Sequence, residues 1–118
     1  METLAAAELL AALGHESRLA IFRLLLEAGK GGVNASAIGE KLGLAPATLS
    51  FHLAHLSRVG LIEGQRESRF IRYSAKFEVM DEVIAFLTRN CCQRESLLPL
   101  TATCDTTQKR RGRLKEVA

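Results

Sequence analysis

No leader of charged, then apolar, then small residues opens the sequence, and no apolar run approaches the roughly 20 residues that a bilayer span needs. Both absences lead us to expect a cytoplasmic protein that does not enter membranes. Internal repeats are lacking, as are a Gly-rich phosphate loop and a base-activated Ser or Cys array, so nothing marks an enzyme. Cysteine is scarce: Cys91, Cys92 and Cys104 are the only three, all in the C-terminal quarter. An odd number makes a poor disulfide framework in a reducing compartment, and clustered thiols there point to metal, metalloid or redox chemistry. A dominant charge is missing as well. The net +3 comes from the last ten residues, which hold Lys109, Arg110, Arg111, Arg113 and Lys115 against Glu116 and so carry +4. The rest has 11 basic and 12 acidic residues, so net charge alone does not argue for nucleic acid.

What is present describes one folded domain. The 118 residues are 47% hydrophobic and 25% charged, enough for a single core and too apolar for a chain disordered throughout. Residues 3–13 (TLAAAELLAAL) are nearly all Ala and Leu, strong helix formers, with only Thr3 and Glu8 polar. A helix without a wet face is either buried in its own subunit or the seam of an oligomer. Residues 15–28 repeat the helical period with Leu19, Phe22 or Arg23, and Leu26 on successive turns, and Gly29, Gly31 and Gly32 end it. Asn34 suits the N-cap of a short helix that runs to Leu42 and stops at Gly43, with Ile38 and Leu42 inward. Pro46 suits the first turn of the next helix, which sets Leu49, Leu53 and Leu56 inward and runs until Gly60. Two short helices joined by a tight Gly-containing turn form a helix-turn-helix pattern.

The period then changes. Ile62, Gln65 and Arg66, then Phe70 to Tyr73, read as two short strands around Glu67 and Ser68, although no Asn-Gly or Asp-Gly fixes the turn. From Phe77 the helical period returns, with Met80, Ile84, Leu87 and Cys91 in one row and Val79, Val83 and Phe86 widening it. That width asks for a second partner surface. The expected architecture is mainly α with a small β-hairpin: four helices, the hairpin and a last helix, a winged helix-turn-helix. Residues 1–95 form the domain, and 96–118 form a flexible tail carrying Cys104 and the basic run.

On the second helix of the pair, at about 100° per residue, Ala47, Phe51, Ala54 and Arg58 lie opposite the inward stripe, with Thr48, Ser50 and His55 at the margins. Hydroxyls can bond base edges or phosphates, and Phe51 can touch a thymine methyl. His52 is nearer the buried side and suits either packing or a phosphate contact. Arg66, Arg69 and Arg72 on the hairpin can neutralise the DNA backbone, or can simply protect a solvated edge strand from pairing.

The segments ALGHESRLAIFRLLLEAG (12–29), APATLSFHL (45–53) and VGLIEGQRESRFIRYS (59–74) resemble, in order, the arsenic-repressor (ArsR/SmtB) family of bacterial winged-helix metal sensors, over roughly residues 4–92. The resemblance implies a homodimer through the first and last helices, binding of double-stranded operator DNA by the recognition helix and wing, and release when a metal or metalloid binds. It departs from the family in two places. The Cys-x-Cys pair that many arsenic repressors carry before the recognition helix is replaced by Asn34 and Ser36, and the carboxylate and histidine ligands of the zinc sensors are missing from the last helix.

What remains is the thiol cluster. As(III) and Sb(III) are soft and thiophilic, and adjacent Cys91 and Cys92 at the end of the last helix are about 100° apart around its axis. Cys104, twelve residues on, can close back onto them. Three sulfurs suit a pyramidal trivalent metalloid, Zn(II) would want a fourth ligand, and methylarsenite would need only two. A buried hydrophobic role would account for Cys91 alone. No cofactor is obligatory, and the metalloid acts as inducer. The rival on the same fold is a thiol redox or persulfide sensor using Cys91 with Cys104. A small cysteine enzyme is disfavoured because a helix C-terminus does not favour a thiolate nucleophile.

Overall fold

The computed structural model describes residues 1–92, so the tail expected at 96–118, with Cys104 and the basic run, lies outside the described residues. Residues 1–86 form one compact unit. A second begins at Leu87, and its described part is the end of the last helix and the turn that follows it.

Five helices carry the fold: α1 (Thr3–Leu13), α2 (Glu16–Ala28), α3 (Ala35–Leu42), α4 (Pro46–Arg58) and α5 (Phe77–Thr88). The local chemistry of their ends explains the boundaries. His15 caps α2, its Nδ1 accepting from the Ser17 N–H at 3.1 Å. Asn34 caps α3, its Oδ1 accepting from the Ala37 N–H at 2.9 Å. Gly43, left-handed at φ 67°, turns the chain out of α3 while the Leu44 N–H returns to the Gly39 carbonyl at 3.0 Å. Pro46 then starts α4. The two helices approach closely at Gly39, where an added Cβ would stand 3.2 Å from Leu49 Cδ2.

The sheet has three strands rather than a hairpin's two. β1 (Val33–Asn34) pairs antiparallel with β3 (Phe70–Ala75), which pairs with β2 (Ile62–Glu67), in the order β1-β3-β2. A strand of two residues has no period, and only its partner reveals it. The register Glu67↔Phe70 leaves Ser68 and Arg69 as the wing tip, and Ser68 reaches φ 60° to make the turn.

Phe22, Ile21 and Leu25 of α2 pack with Ile38, Leu49, Leu53 and Leu56 of the helix pair and with Leu61 and Ile62 at the base of the wing. Fully burying each such side chain stabilises the fold by about 1.5–3 kcal/mol. Two inward rows differ from those expected. On α2 the buried positions are Ile21, Phe22 and Leu25, while Leu19 is exposed. On α5 the core takes Val83, with Val79 and Met80 packed against it, while Ile84 and Leu87 are exposed. Both helices are apolar on more than one row, so their period left the inward row undecided. α1 buries Ala6, Leu9 and Ala12 but exposes Leu4 at 68% and Leu10 at 41%. No helix among the described residues is long and apolar enough to cross a membrane.

Candidate nucleic-acid interface and thiol site

The outer face of α4 is built as the periodicity expects. With Leu49, Leu53 and Leu56 inward, Ala47, Thr48, Ser50, Phe51, Ala54 and Arg58 are exposed and His55 is partly so. Ala45 offers no side-chain cap to α4, so the first amides of the helix remain available to an acceptor such as a phosphate. Phe51 is 65% exposed, its ring edge-on to His52 at a centroid distance of 5.6 Å. His52 itself is only 6% exposed, and its Nδ1 lies 3.3 Å from Arg18 Nη1. Of the two roles open to it, packing is the one that this burial supports. Burial, together with the neighbouring His15, Arg18 and His55, holds the His52 pKa below its ordinary 6.5. His55 is lowered too, first by burial and then by Arg18 and Arg58.

The three wing arginines are not equivalent. Arg66, near the end of β2, and Arg69, in the tip, are exposed. Arg72 is committed within the fold: its Nε pairs with Glu67 Oε1 at 3.1 Å and its Nη1 donates to the Gly31 carbonyl at 3.3 Å. These contacts tie the wing to the 3-10 turn Gly29–Gly31, and the Arg72 side chain stays 42% exposed. Phe70, beside the tip, is a large exposed aromatic on the wing, as Phe51 is on α4. Its place in an alternating strand gave no signal that it would face solvent.

The thiol pair is not helical. α5 ends at Thr88, and the row that was to run on to Cys91 is broken by Asn90 at φ 62°. The Cys91 N–H returns to the Thr88 carbonyl at 2.9 Å, and Cys92 adopts φ 66°. It is therefore a turn that brings the two Sγ atoms to 3.3 Å, rather than a 100° step around a helix. Cys91 is an exposed free thiol, whereas Cys92 is disulfide-bonded. Among the described residues no group of three or more His, Cys, Asp or Glu side chains is placed to hold a metal. The third expected ligand, Cys104, lies outside the described residues.

Comparison with known proteins agrees with this architecture. Residues 13–65 match a helix-turn-helix domain family, covering α2 to the middle of the wing. The HTH-type transcriptional regulator YgaV of Escherichia coli is 38% identical over 87 residues, 74% of this chain and 86% of that protein. The transcriptional activator HlyU of Vibrio cholerae is 34% identical over 88 residues, 72% of this chain and 76% of that one. A solved structure of HlyU covers 78% of this chain and 99% of its own at a TM-score of 0.61 and 32% identity, and HlyU has also been solved in a reduced form. The homodimeric winged helix-turn-helix DNA-binding domain of a candidate ArsR-family regulator from Mycobacterium bovis matches at a TM-score of 0.60 and 25% identity, over 80% of this chain and 85% of that one. These relatives are transcriptional regulators rather than enzymes. A helix pair, an adjoining wing and sequence identity that spans both place this chain in the ArsR/SmtB family of winged helix-turn-helix transcriptional regulators.

Proposed function

We propose that the protein is a homodimeric regulator that leaves its operator when As(III) or Sb(III) binds Cys91, Cys92 and Cys104. The observation that carries this reading is the 3.3 Å approach of the Cys91 and Cys92 sulfurs, made by a turn at the end of α5. A soft trivalent centre needs converging sulfurs, and each thiol S–H can condense with one As–OH to give an As–S bond and water. Capture requires Cys92 in its reduced state.

The dimer is supported by the exposed apolar side chains Leu4 and Leu10 of α1 and by the homodimeric state of the Mycobacterium domain. On DNA, α4 enters the major groove. Thr48, Ser50 and Phe51 meet base edges, while Arg58, Arg66 and Arg69 neutralise phosphates. The thiols lie on the turn that follows a dimer-forming helix, so drawing them around a metalloid changes the separation of the two recognition helices. Half-sites about one helical turn apart tolerate little such change.

A second reading, a thiol redox or persulfide sensor, is favoured by a relative solved in a reduced form and by the disulfide at Cys92, although it is Cys92 and not the expected Cys91 that is bonded, Cys91 being a free thiol. One experiment separates the two. Operator release is titrated with As(III), Sb(III) and methylarsenite under reducing conditions, then with a persulfide donor, on the parent chain and on Cys91→Ser, Cys92→Ser and Cys104→Ser. The metalloid reading expects release by As(III) that either helix-end substitution abolishes, with Cys104→Ser weakening As(III) but sparing methylarsenite. Release by the persulfide donor and not by As(III) overturns it in favour of the redox sensor.

A further inference from the structure

Arg18 stands where three elements meet. Its Nε donates to the Ala12 carbonyl at 2.6 Å, one of the last four carbonyls of α1, which a helix leaves without an amide of its own. Its Nη1 lies 3.3 Å from His52 Nδ1 on α4. A guanidinium only donates, so Nδ1 is the acceptor and the His52 ring carries its proton on Nε2. The ring is 6% exposed, and the His15 ring lies 4.6 Å away, tilted by 45°. Thus one cation on α2 bridges the C-terminal end of α1 and the buried side of the recognition helix.

We propose that the Arg18–His52 pair is a clasp that positions the recognition helix against the end of α1, and that it holds only while His52 is neutral, so that operator affinity falls on mild acidification. The inference rests on the DNA-reading role of α4 proposed above, and it is separate from the thiols.

Protonation would put an N–H where Arg18 needs an acceptor and would set two cations side by side. The charged and titratable groups found to act on His52 are His15 at the start of α2, Arg18 on α2 and His55 on its own helix, and none of them is acidic. Burial and these three neighbours lower the pKa of the folded ring below 6.5. The sign follows: the stability contributed by the neutral ring is fully present above the unfolded value of 6.5 and is lost as pH falls from there toward the folded value. A partly exposed His55 beside DNA would act in the opposite direction, because a phosphate favours its charged form. The test must therefore isolate His52.

The decisive comparison is operator affinity against pH, at fixed ionic strength and on the reduced full chain, for the parent, His52→Gln and Arg18→Met. A glutamine can accept from Arg18 without titrating. As pH falls below 6.5 and through the titration of the folded His52 ring, the parent should lose about tenfold in affinity relative to His52→Gln. Arg18→Met should be about tenfold weaker above pH 6.5, with the His52-linked slope gone. Thermal melts establish that each variant is folded, and if His52→Gln is not, Arg18→Met against the parent decides. A second arm uses no DNA: NMR should show the amides of Ala12, Leu13 and Gly14 shifting with the His52 ring titration in the parent and not in the variants. Parallel pH profiles in the parent and variants, or amides that ignore the titration of His52, would overturn the clasp. Failure of the parent to bind operator, with the amide coupling intact, would instead count against the DNA-reading role of α4.

Discussion

The recognition helix and the cysteine turn answer to different constraints. α4 is held from beneath by Leu49, Leu53 and Leu56, all in the core, so the positions of Thr48, Ser50 and Phe51 on its outer face follow from helical geometry. Cys91 and Cys92 follow the helix end on a turn through Asn90, and their convergence is set by two left-handed residues rather than by a packed row. In the first region the fold fixes where chemistry can occur, whereas in the second the residue types carry the chemistry and a local turn completes it. Substitutions should accordingly separate folding from sensing.

The largest effect is expected in the core beneath α4. Phe22→Ala removes a side chain that is 1% exposed and should cost about 3–5 kcal/mol in denaturant unfolding, enough to unfold a marginal domain. Cys91→Ser, on the exposed turn, should leave the same unfolding curve unchanged within about 0.5 kcal/mol. Equal losses for the two would erase the distinction between the regions.

Next come the wing arginines. Arg66→Ala and Arg69→Ala should each weaken binding to every DNA sequence and reduce the salt slope of log affinity by about 0.9. Arg72→Ala should leave the slope nearly unchanged, because its guanidinium is already held by Glu67 and the Gly31 carbonyl. A full loss of slope at Arg72 in affinity measurements across salt would place it with Arg66 and Arg69 among the phosphate contacts.

The smallest effect concerns the wing tip. Ser68 holds φ 60° at a cost of about 1 kcal/mol that a glycine would not bear, partly offset by the greater freedom of glycine in the unfolded chain. Ser68→Gly should raise thermal stability slightly and leave operator affinity unchanged. Reduced stability would mean that the serine contributes more than its turn geometry suggests.

The limits of sequence reading follow the same division. Helix boundaries were legible because Asn34, Gly43 and Pro46 act through local backbone chemistry, which the sequence carries in full. The outward face of α4 was legible because only one of its rows, Leu49, Leu53 and Leu56, carries large aliphatic side chains. Inward rows on α2 and α5 were not, because several rows compete and only three-dimensional packing selects Ile21 over Leu19, or Val83 over Ile84. Asn90 did offer a signal, since Asn after a helix favours the left-handed stop, and it would have placed the cysteines in a turn. The commitment of Arg72 to Gly31 and of Arg18 to His52 joins residues 41 and 34 positions apart, beyond the reach of any local pattern.

On the proposed function, the turn at Cys91 and Cys92 senses a thiophile and thereby governs DNA binding. The most direct measurement is As(III)-driven release of operator from the reduced Cys91→Ser, Cys92→Ser double variant, followed by fluorescence anisotropy beside the parent. The double variant should bind operator as the parent does without the metalloid and should not be released with it. Parent-like release from the double variant would rule out sensing at this turn and place it elsewhere in the chain.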